Sequence, residues 1–389
     1  MDKLIIDDKS NVRHLFYLQD LSLICKCGDS TITLSEGNCT DIDGCIDDAG
    51  IMHVVCVCSD GSIVCCTNNG AGWRRYPIIA SKRGDGVIYA VRAVCISNRL
   101  NIWYCIEYNG KKMLVHQIVD GEDVIGEPYV VDYLGYKKNY DICCDNDMNT
   151  HVYYVDENEN LSTVRYLWSQ KKYATREQVA SRVNNVAAIA DMAGNIYIAA
   201  IGRKSDFNVV YFKRQGEEDF RILSFGVDST CVPAVVKAGD RLYVQWIDNK
   251  ECCECASTDG GDSFEHPVAI NRMSGGTNGI IAYKNSANPL CIGINRCICN
   301  YAMKMLHEAA IIGSINKPTN MSDELTDYFK NAAQTMQVSL DVVSRLCALE
   351  NQLSAIAQLL QHISTFQNSS DADDVHHQNI NMTGDVSDE

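Results

Sequence analysis

The sequence has no apolar run of about 18 residues, the length a membrane-crossing helix needs, so no membrane insertion is expected. Its start, MDKLIIDDKSNVRHLF, places acids where a secretory leader needs a basic end and an apolar stretch. Synthesis in the cytoplasm without a signal peptide is therefore expected. Positive charge is also short: 34 Lys and Arg stand against 50 Asp and Glu, for a formal net charge of −16. That balance repels a nucleic-acid backbone, so no nucleic-acid partner is expected. No Gly-rich phosphate loop, HExxH or GxSxG occurs. No cofactor and no catalytic residue are assigned on these grounds.

Cysteine, by contrast, is plentiful, with 20 residues. Without an export signal these read as reduced thiols. Cys25/Cys27, Cys56/Cys58 and Cys297/Cys299 sit two apart in β-like runs, which puts each pair on one face of a strand. Cys252 and Cys255 make the one CxxC spacing, and with Cys253 and His266 they are the candidate metal ligands. No second pair completes a four-ligand set, so cysteine is read as a small apolar strand residue and no metal is assigned.

A short pattern recurs along the chain: a polar residue followed by alternating aliphatic and aromatic ones. It appears as HLFYL at His14, HVVCV at His53, NIWYCI at Asn101, HVYYV at His151, NIYIAA at Asn195, RLYVQW at Arg241 and PLCIGI at Pro289. Each copy follows a lead-in ending in turn-prone or small residues, such as GCIDDAGI or ICCDNDMN. Second and third strand-like runs follow most copies. Four short strands per unit of about 45 residues are the mark of propeller blades, because one such sheet cannot bury both of its faces alone. A mainly β fold is expected: a seven-bladed β-propeller over 1–310, with six blades as the alternative and a β-sandwich pair as the competing architecture. The seventh unit, from Gly275, shows three clear strands, and MDKLII is a candidate to complete the ring.

Between the third and fourth strands of the sixth unit lies STDGGDSF, with Ser257, Asp259, Gly261 and Phe264 at Ser-x-Asp-x-Gly-x-x-Phe spacing. CTNNGAGW occupies the same place in the second unit, where Cys66, Asn68, Gly70 and Trp73 match it. These residues resemble the Asp-box of sialidase-like (BNR-repeat) β-propellers. The carboxylate of Asp259 is suited to capping its own turn, Ser257 to sharing that network, Gly261 to a positive φ, and Phe264 to tucking between sheets. The resemblance implies a structural role for the box on the outside of the ring. It also implies, for a hydrolase, an arginine cluster for a substrate carboxylate and a Tyr/Glu pair. Arg13 is the only early arginine; Arg92, Arg165 and Arg241 are the candidate central ones, and Glu107-Tyr108 is the nearest Glu/Tyr pair. Adjacent strand residues point to opposite faces, so Glu107 and Tyr108 do not form that pair.

After a linker at 311–321 the pattern changes. Ser322 is a candidate N-cap with Asp323 and Glu324 behind it, and neither Pro nor Gly follows until past Gln367. Leu346, Leu349, Leu353, Ile356, Leu360 and Ile363 carry a coiled-coil rhythm, which predicts a long α-helix at 322–367. A homo-oligomer through this helix is expected, with a helix pair folded back on itself as the alternative. Residues 368–389 carry six acids and no Lys or Arg and read as a disordered acidic tail, in which His376 and His377 beside Asp373 and Asp374 are solvated.

The expected function is a non-catalytic recognition module multiplied by its helix, binding a glycan or a protein, as in a phage attachment protein released on a virion or particle. A sialidase-like glycoside hydrolase and a structural scaffold propeller are the alternatives.

Overall fold

The computed structural model describes residues 3–8, 12–80, 86–121, 124–135, 139–191, 193–238, 240–248, 251–270, 280–285 and 296–298, all within the compact unit Met1–Ile312. The expected linker, helix and tail, with Leu346, Leu349, Leu353, Ile356, Leu360 and Ile363, lie outside the described residues, as do His376 and His377.

Among the described residues there are six sheets. The first contains β1 (Lys3–Asp7), β2 (Arg13–Gln19), β3 (Ser22–Cys27) and β4 (Ser30–Ser35). The second contains β5 (Cys39–Ile46), β6 (Met52–Cys58), β7 (Ile63–Asn68) and β8 (Trp73–Ile79), and the third β9 (Val87–Ile96), β10 (Arg99–Tyr108), β11 (Lys111–Val119) and β12 (Tyr129–Tyr133). The fourth contains β13 (Tyr140–Cys144), β14 (Thr150–Val155), β15 (Leu161–Leu167), β16 (Lys172–Tyr173) and β17 (Glu177–Ala180). The fifth contains β18 (Val183–Ala190), β19 (Ile196–Lys204), β20 (Phe207–Arg214) and β21 (Arg221–Phe225), and the sixth β22 (Pro233–Ala238), β23 (Arg241–Asp248), β24 (Glu251–Ser257) and β25 (Val268–Ile270). Two later strands, β26 (Ile280–Asn285) and β27 (Arg296–Ile298), form no sheet of their own. They extend the first sheet, with β26 running parallel to β1 from Ile281 opposite Lys3 to Asn285 opposite Asp7.

The ring therefore has the smaller of the two expected sizes among the described residues. The described strands of the seventh unit, β26 and β27, serve the first sheet because β1 exposes an edge of backbone N–H and C=O groups that must be satisfied. First strands of successive sheets lie side by side: β1 by β5, β5 by β9, β13 by β18 and β18 by β22. β27 of the first sheet reaches β22 of the sixth and closes the circle. This is a β-propeller arrangement, built from sheets packed face to face.

Burial follows from that stacking. The second strands are covered on both faces, so the runs of β6 (MHVVCVC) and β14 (THVYYV) are almost wholly buried and do not alternate in polarity. β12, the outer strand of the third sheet, is largely exposed.

The repeat has a chemical basis in the first hairpin of four sheets. Asp8, Asp47, Asp145 and Asp191 each accept, through Oδ1, the backbone N–H four residues on, at 2.7–2.9 Å. The second oxygen holds the side chain six residues on: His14 Nε2 at 3.2 Å, His53 Nε2 at 3.5 Å, His151 Nε2 at 3.0 Å and the Tyr197 hydroxyl at 2.9 Å. One carboxylate thus closes the turn and anchors the head of the next strand. The third sheet turns there without an aspartate, through Ser97 and Asn98 at φ of 50° and 59°.

Carboxylates also join the sheets. Asp41 and Asp43 on β5 accept the N–H groups of Val91 and Ala93 on β9, at 2.7 and 2.9 Å. Asp141 on β13 accepts that of Ala188 on β18 at 3.0 Å. Each supplies the partner that an inner edge strand would otherwise lack.

Candidate functional site

The seam between the third and fourth sheets differs from the rest in its side chains. On β10 Trp103 is fully buried and stands directly opposite His116 on β11; the rings stack at 4.2 Å with parallel planes. This is a cross-strand pair at the separation an antiparallel ladder imposes. His116 Nε2 lies 3.1 Å from Asn101 Oδ1, one strand away. Burial holds the imidazole neutral, pushing its pKa down to about 3.

The fourth sheet closes over this stack with Tyr166 and Tyr173, edge-on to His116 at 4.9 and 5.8 Å. A single turn, Trp168–Gln170, ended by Lys171 at φ 50°, brings β16 back onto β15 and sets Tyr173 opposite Tyr166. The Trp103 Nε1–H donates to the Tyr173 hydroxyl at 3.2 Å. Tyr129 on β12 stacks on Tyr173 at 5.1 Å and remains 54% exposed. Val130 and Tyr133, opposite Val115 and Met113, are exposed on the other face of the strand, and Val124 and Ile125 are exposed in the loop before it. The result is an aromatic face open to solvent, backed by rings that cannot move far.

Two charged groups pin this seam. On the outer side the Arg176 guanidinium spans the sheets, donating to Asp132 of β12 at 2.9 Å and pairing with Asp156 of the fourth sheet. Its Nε also donates to Ser162 Oγ at 3.2 Å, and the Tyr154 hydroxyl donates to Asp132. On the inner side Arg92 of β9 lies over the Tyr140 ring, 5.7 Å from its centroid. Burial opposes the charge on Arg92, but Tyr140 and the carboxylates of Asp43, Asp41 and Asp141 outweigh it and raise its pKa. Arg92 Nε and Asp43 Oδ1 are buried without hydrogen-bond partners.

The candidate arginines do not converge. Arg92 is on a first strand, whereas Arg165 on β15 and Arg241 at the start of β23 are exposed in other sheets. Glu107 and Tyr108 end β10, opposite Lys112 and Lys111. The residues considered as a metal set also separate: Cys252 and Cys255 belong to different apolar clusters, and His266 is exposed. Alternation along β24 sends Cys252 to the face opposite Cys253 and Cys255.

The Asp-box residues form a turn between β24 and β25. The Ser257 hydroxyl donates to Asp259 Oδ1 at 2.8 Å and accepts the Gly261 N–H at 2.8 Å. Asp259 accepts the Ser263 N–H at 2.9 Å, and bonds from Ser263 and Ser257 hold its carboxyl below the usual range. Gly261 has φ 95°. Phe264 packs edge-on against Phe212 of the fifth sheet at 4.7 Å. In the second sheet the Gly70 N–H bonds Asn68 Oδ1 at 2.8 Å, Gly70 has φ 91°, and Trp73 meets Phe16 of the first sheet edge-on at 5.6 Å. Both turns tie a fourth strand to the neighbouring sheet, and neither presents a reactive group to the aromatic seam.

Sequence reasoning missed the seam itself. Trp103, His116, Tyr129, Tyr166 and Tyr173 are scattered over 71 positions, and only the register of three hairpins brings them together. The one visible signal was the density of tyrosine.

No family model matches the chain, and no curated protein matches it in sequence. Three solved structures illustrate what it superposes on. AofleA from Arthrobotrys oligospora is 14% identical, covers 68% of this chain and 84% of its own, and gives a TM-score of 0.44. The Aleuria aurantia lectin, described as a six-bladed β-propeller with a novel fucose recognition mode, is 9% identical over 69% of this chain and 94% of its own, with a TM-score of 0.43. An ulvan lyase of polysaccharide lyase family PL25 is 10% identical over 72% and 85%, with a TM-score of 0.48. At such identities and scores none of them bears on what this chain binds or catalyses.

Proposed function

We propose that the chain is a non-catalytic recognition propeller that takes a glycan on the open aromatic face between the third and fourth sheets. The observation that carries this reading is Tyr129, half in solvent yet stacked on Tyr173, which is partly buried and packed against the core of the seam. The C–H face of a sugar ring packs on an exposed aromatic face. A ring already held in place loses little freedom on binding, so more of the contact energy appears as affinity. Arg176, held by Asp132 and Asp156 on the same seam, supplies a polar neighbour for hydroxyl or acidic groups.

In the same proposal the helix at 322–367 joins several such heads, turning weak single sites into avid ones. Synthesis in the cytoplasm and release on a virion or particle, as for a phage attachment protein, complete it. A glycan array read alongside a fluorogenic sialoside tests the reading: binding without turnover is expected, and turnover would replace it with the sialidase-like hydrolase.

A protein ligand is the second reading. Val124, Ile125 and Val130 form an exposed apolar stretch at and before β12, the last strand of its sheet, and such an edge is suited to pairing with another chain. A scaffold role follows if the array stays blank and a Val130→Lys change abolishes capture of a protein partner.

A further inference from the structure

The seam between the first and second sheets contains five buried cysteines that the recognition reading does not use, and three of them converge. Cys56 and Cys58 are two apart on β6 and therefore share a face. Cys39, at the head of β5, stands directly opposite Cys58. The register then slips between Cys39 and Asp41, a bulge that re-aims the first residue of the strand. The three Sγ atoms all lie within 4.8 Å of one another. The residues are 0%, 0% and 2% exposed, and they sit among Leu4, Phe16, Leu23, Val54 and Val64.

One further group points at the same place. Ser35, the last residue of β4, is 3% exposed, and its buried hydroxyl faces the Cys39 thiol.

We propose that Cys39, Cys56 and Cys58 form a binding site for a thiophilic divalent cation, with Zn²⁺ as the ion of best fit, and that it clamps the start of the second sheet beneath the first. A tetrahedral ion with bonds of about 2.3 Å to sulfur separates its ligands by about 3.8 Å, so shifts of an ångström or less complete the set. Binding displaces three thiol protons to solvent and forms three metal–sulfur bonds. Three thiolates with a divalent ion leave one net negative charge, whereas a monovalent ion leaves two, and an apolar seam favours the smaller charge. The fourth position falls to the Ser35 hydroxyl or to water. No carboxylate or imidazole competes within the cluster, so a soft ion is selected over Mg²⁺ or Ca²⁺.

The test uses the full chain, purified under reducing conditions and freed of metal with a chelator. Titration with Cd²⁺ should produce the ultraviolet thiolate-to-metal band. Zn²⁺ loading should reach about one equivalent for this site. Cys39→Ser and Cys56→Ser should each remove the band, while Cys253→Ser, in the sixth sheet, should leave it. X-ray absorption on Zn²⁺-loaded wild type needs no variant and should show three sulfur neighbours at about 2.3 Å. A shell of only oxygen and nitrogen, a band unchanged in Cys39→Ser, or a Cys39–Cys58 disulfide in anaerobically purified protein would each overturn the proposal.

Discussion

The seam between the second and third sheets and the seam between the third and fourth solve the same problem with different residues. The first is filled by Val55, Val57, Ile63, Val91 and Ile102, and Asp41 and Asp43 draw its inner strands together. The second holds Trp103, Tyr140 and Tyr154, with the Trp103–His116 stack at its centre. Aliphatic side chains dominate the first seam, beside Tyr76 and Tyr104, and among the described residues no ring of it stacks outward into solvent. Aromatic side chains fill the second, but each indole N–H, imidazole or hydroxyl needs a partner, and the last ring in the row, Tyr129, lacks a cover. The aliphatic seam is thus a joint, while the aromatic seam is a joint with one open end. That open end is where a ligand is expected.

The largest effect that sharpens this contrast is in the core of the aromatic seam. Trp103→Ala removes a fully buried indole, the His116 stack and the Tyr173 hydrogen bond together. It is expected to cost about 3–5 kcal/mol in denaturant unfolding, against about 1 kcal/mol for Ile102→Val in the neighbouring seam.

Next is pH. His116 is neutral in the fold, with a pKa near 3, whereas the unfolded chain takes up a proton near 6.5. Between those values the unfolded state binds more protons, so stability falls as pH falls from about 6.5 toward about 3. The loss attributable to this residue is expected to approach about 4 kcal/mol at the acid end. His116→Gln should be less stable at neutral pH but flatter across the window, and the difference between the two slopes isolates this residue from His14, His53 and His151. Equal slopes would remove the buried imidazole as the cause.

The two turn boxes offer a smaller comparison. A Cβ on Gly261 would come 2.8 Å from the Phe212 ring, at a φ of 95°, while one on Gly70, at 91°, meets nothing within 4 Å. Gly70→Ala should therefore cost only the backbone term of about 1 kcal/mol, and Gly261→Ala about 2–3 kcal/mol because the aromatic packing must also shift. Equal costs would mean that Phe212 yields freely.

These contrasts also mark how far the chain could be read before its fold was known. The recurring unit was legible because one carboxylate does the same work in four hairpins: the Asp of IIDD, GCIDD, CCDND and AIAD closes the turn and holds the residue six places on. The box at Ser257–Phe264 was legible for the same reason, since its bonds are local. Contacts between sheets were not. Nothing in the local pattern puts Cys39 opposite Cys58, sends β26 onto β1, or stacks Tyr129 on Tyr173. Those depend on register and on which sheets become neighbours, and a strand pattern fixes only which residues share a face. Arg92, Arg165 and Arg241 looked equivalent in sequence, yet only Arg92 falls on a first strand.

The smallest expected effect on stability carries the most weight for function. Tyr129→Ala alters an exposed ring and should change unfolding by about 0.5 kcal/mol or less. Glycan-array binding by wild type and by Tyr129→Ala, with thermal midpoints recorded for both, is the direct test of the open aromatic seam. Binding by the wild type that the variant loses at an unchanged midpoint is the expected result. Wild type that binds no glycan, or a variant that binds as well as wild type, would contradict it.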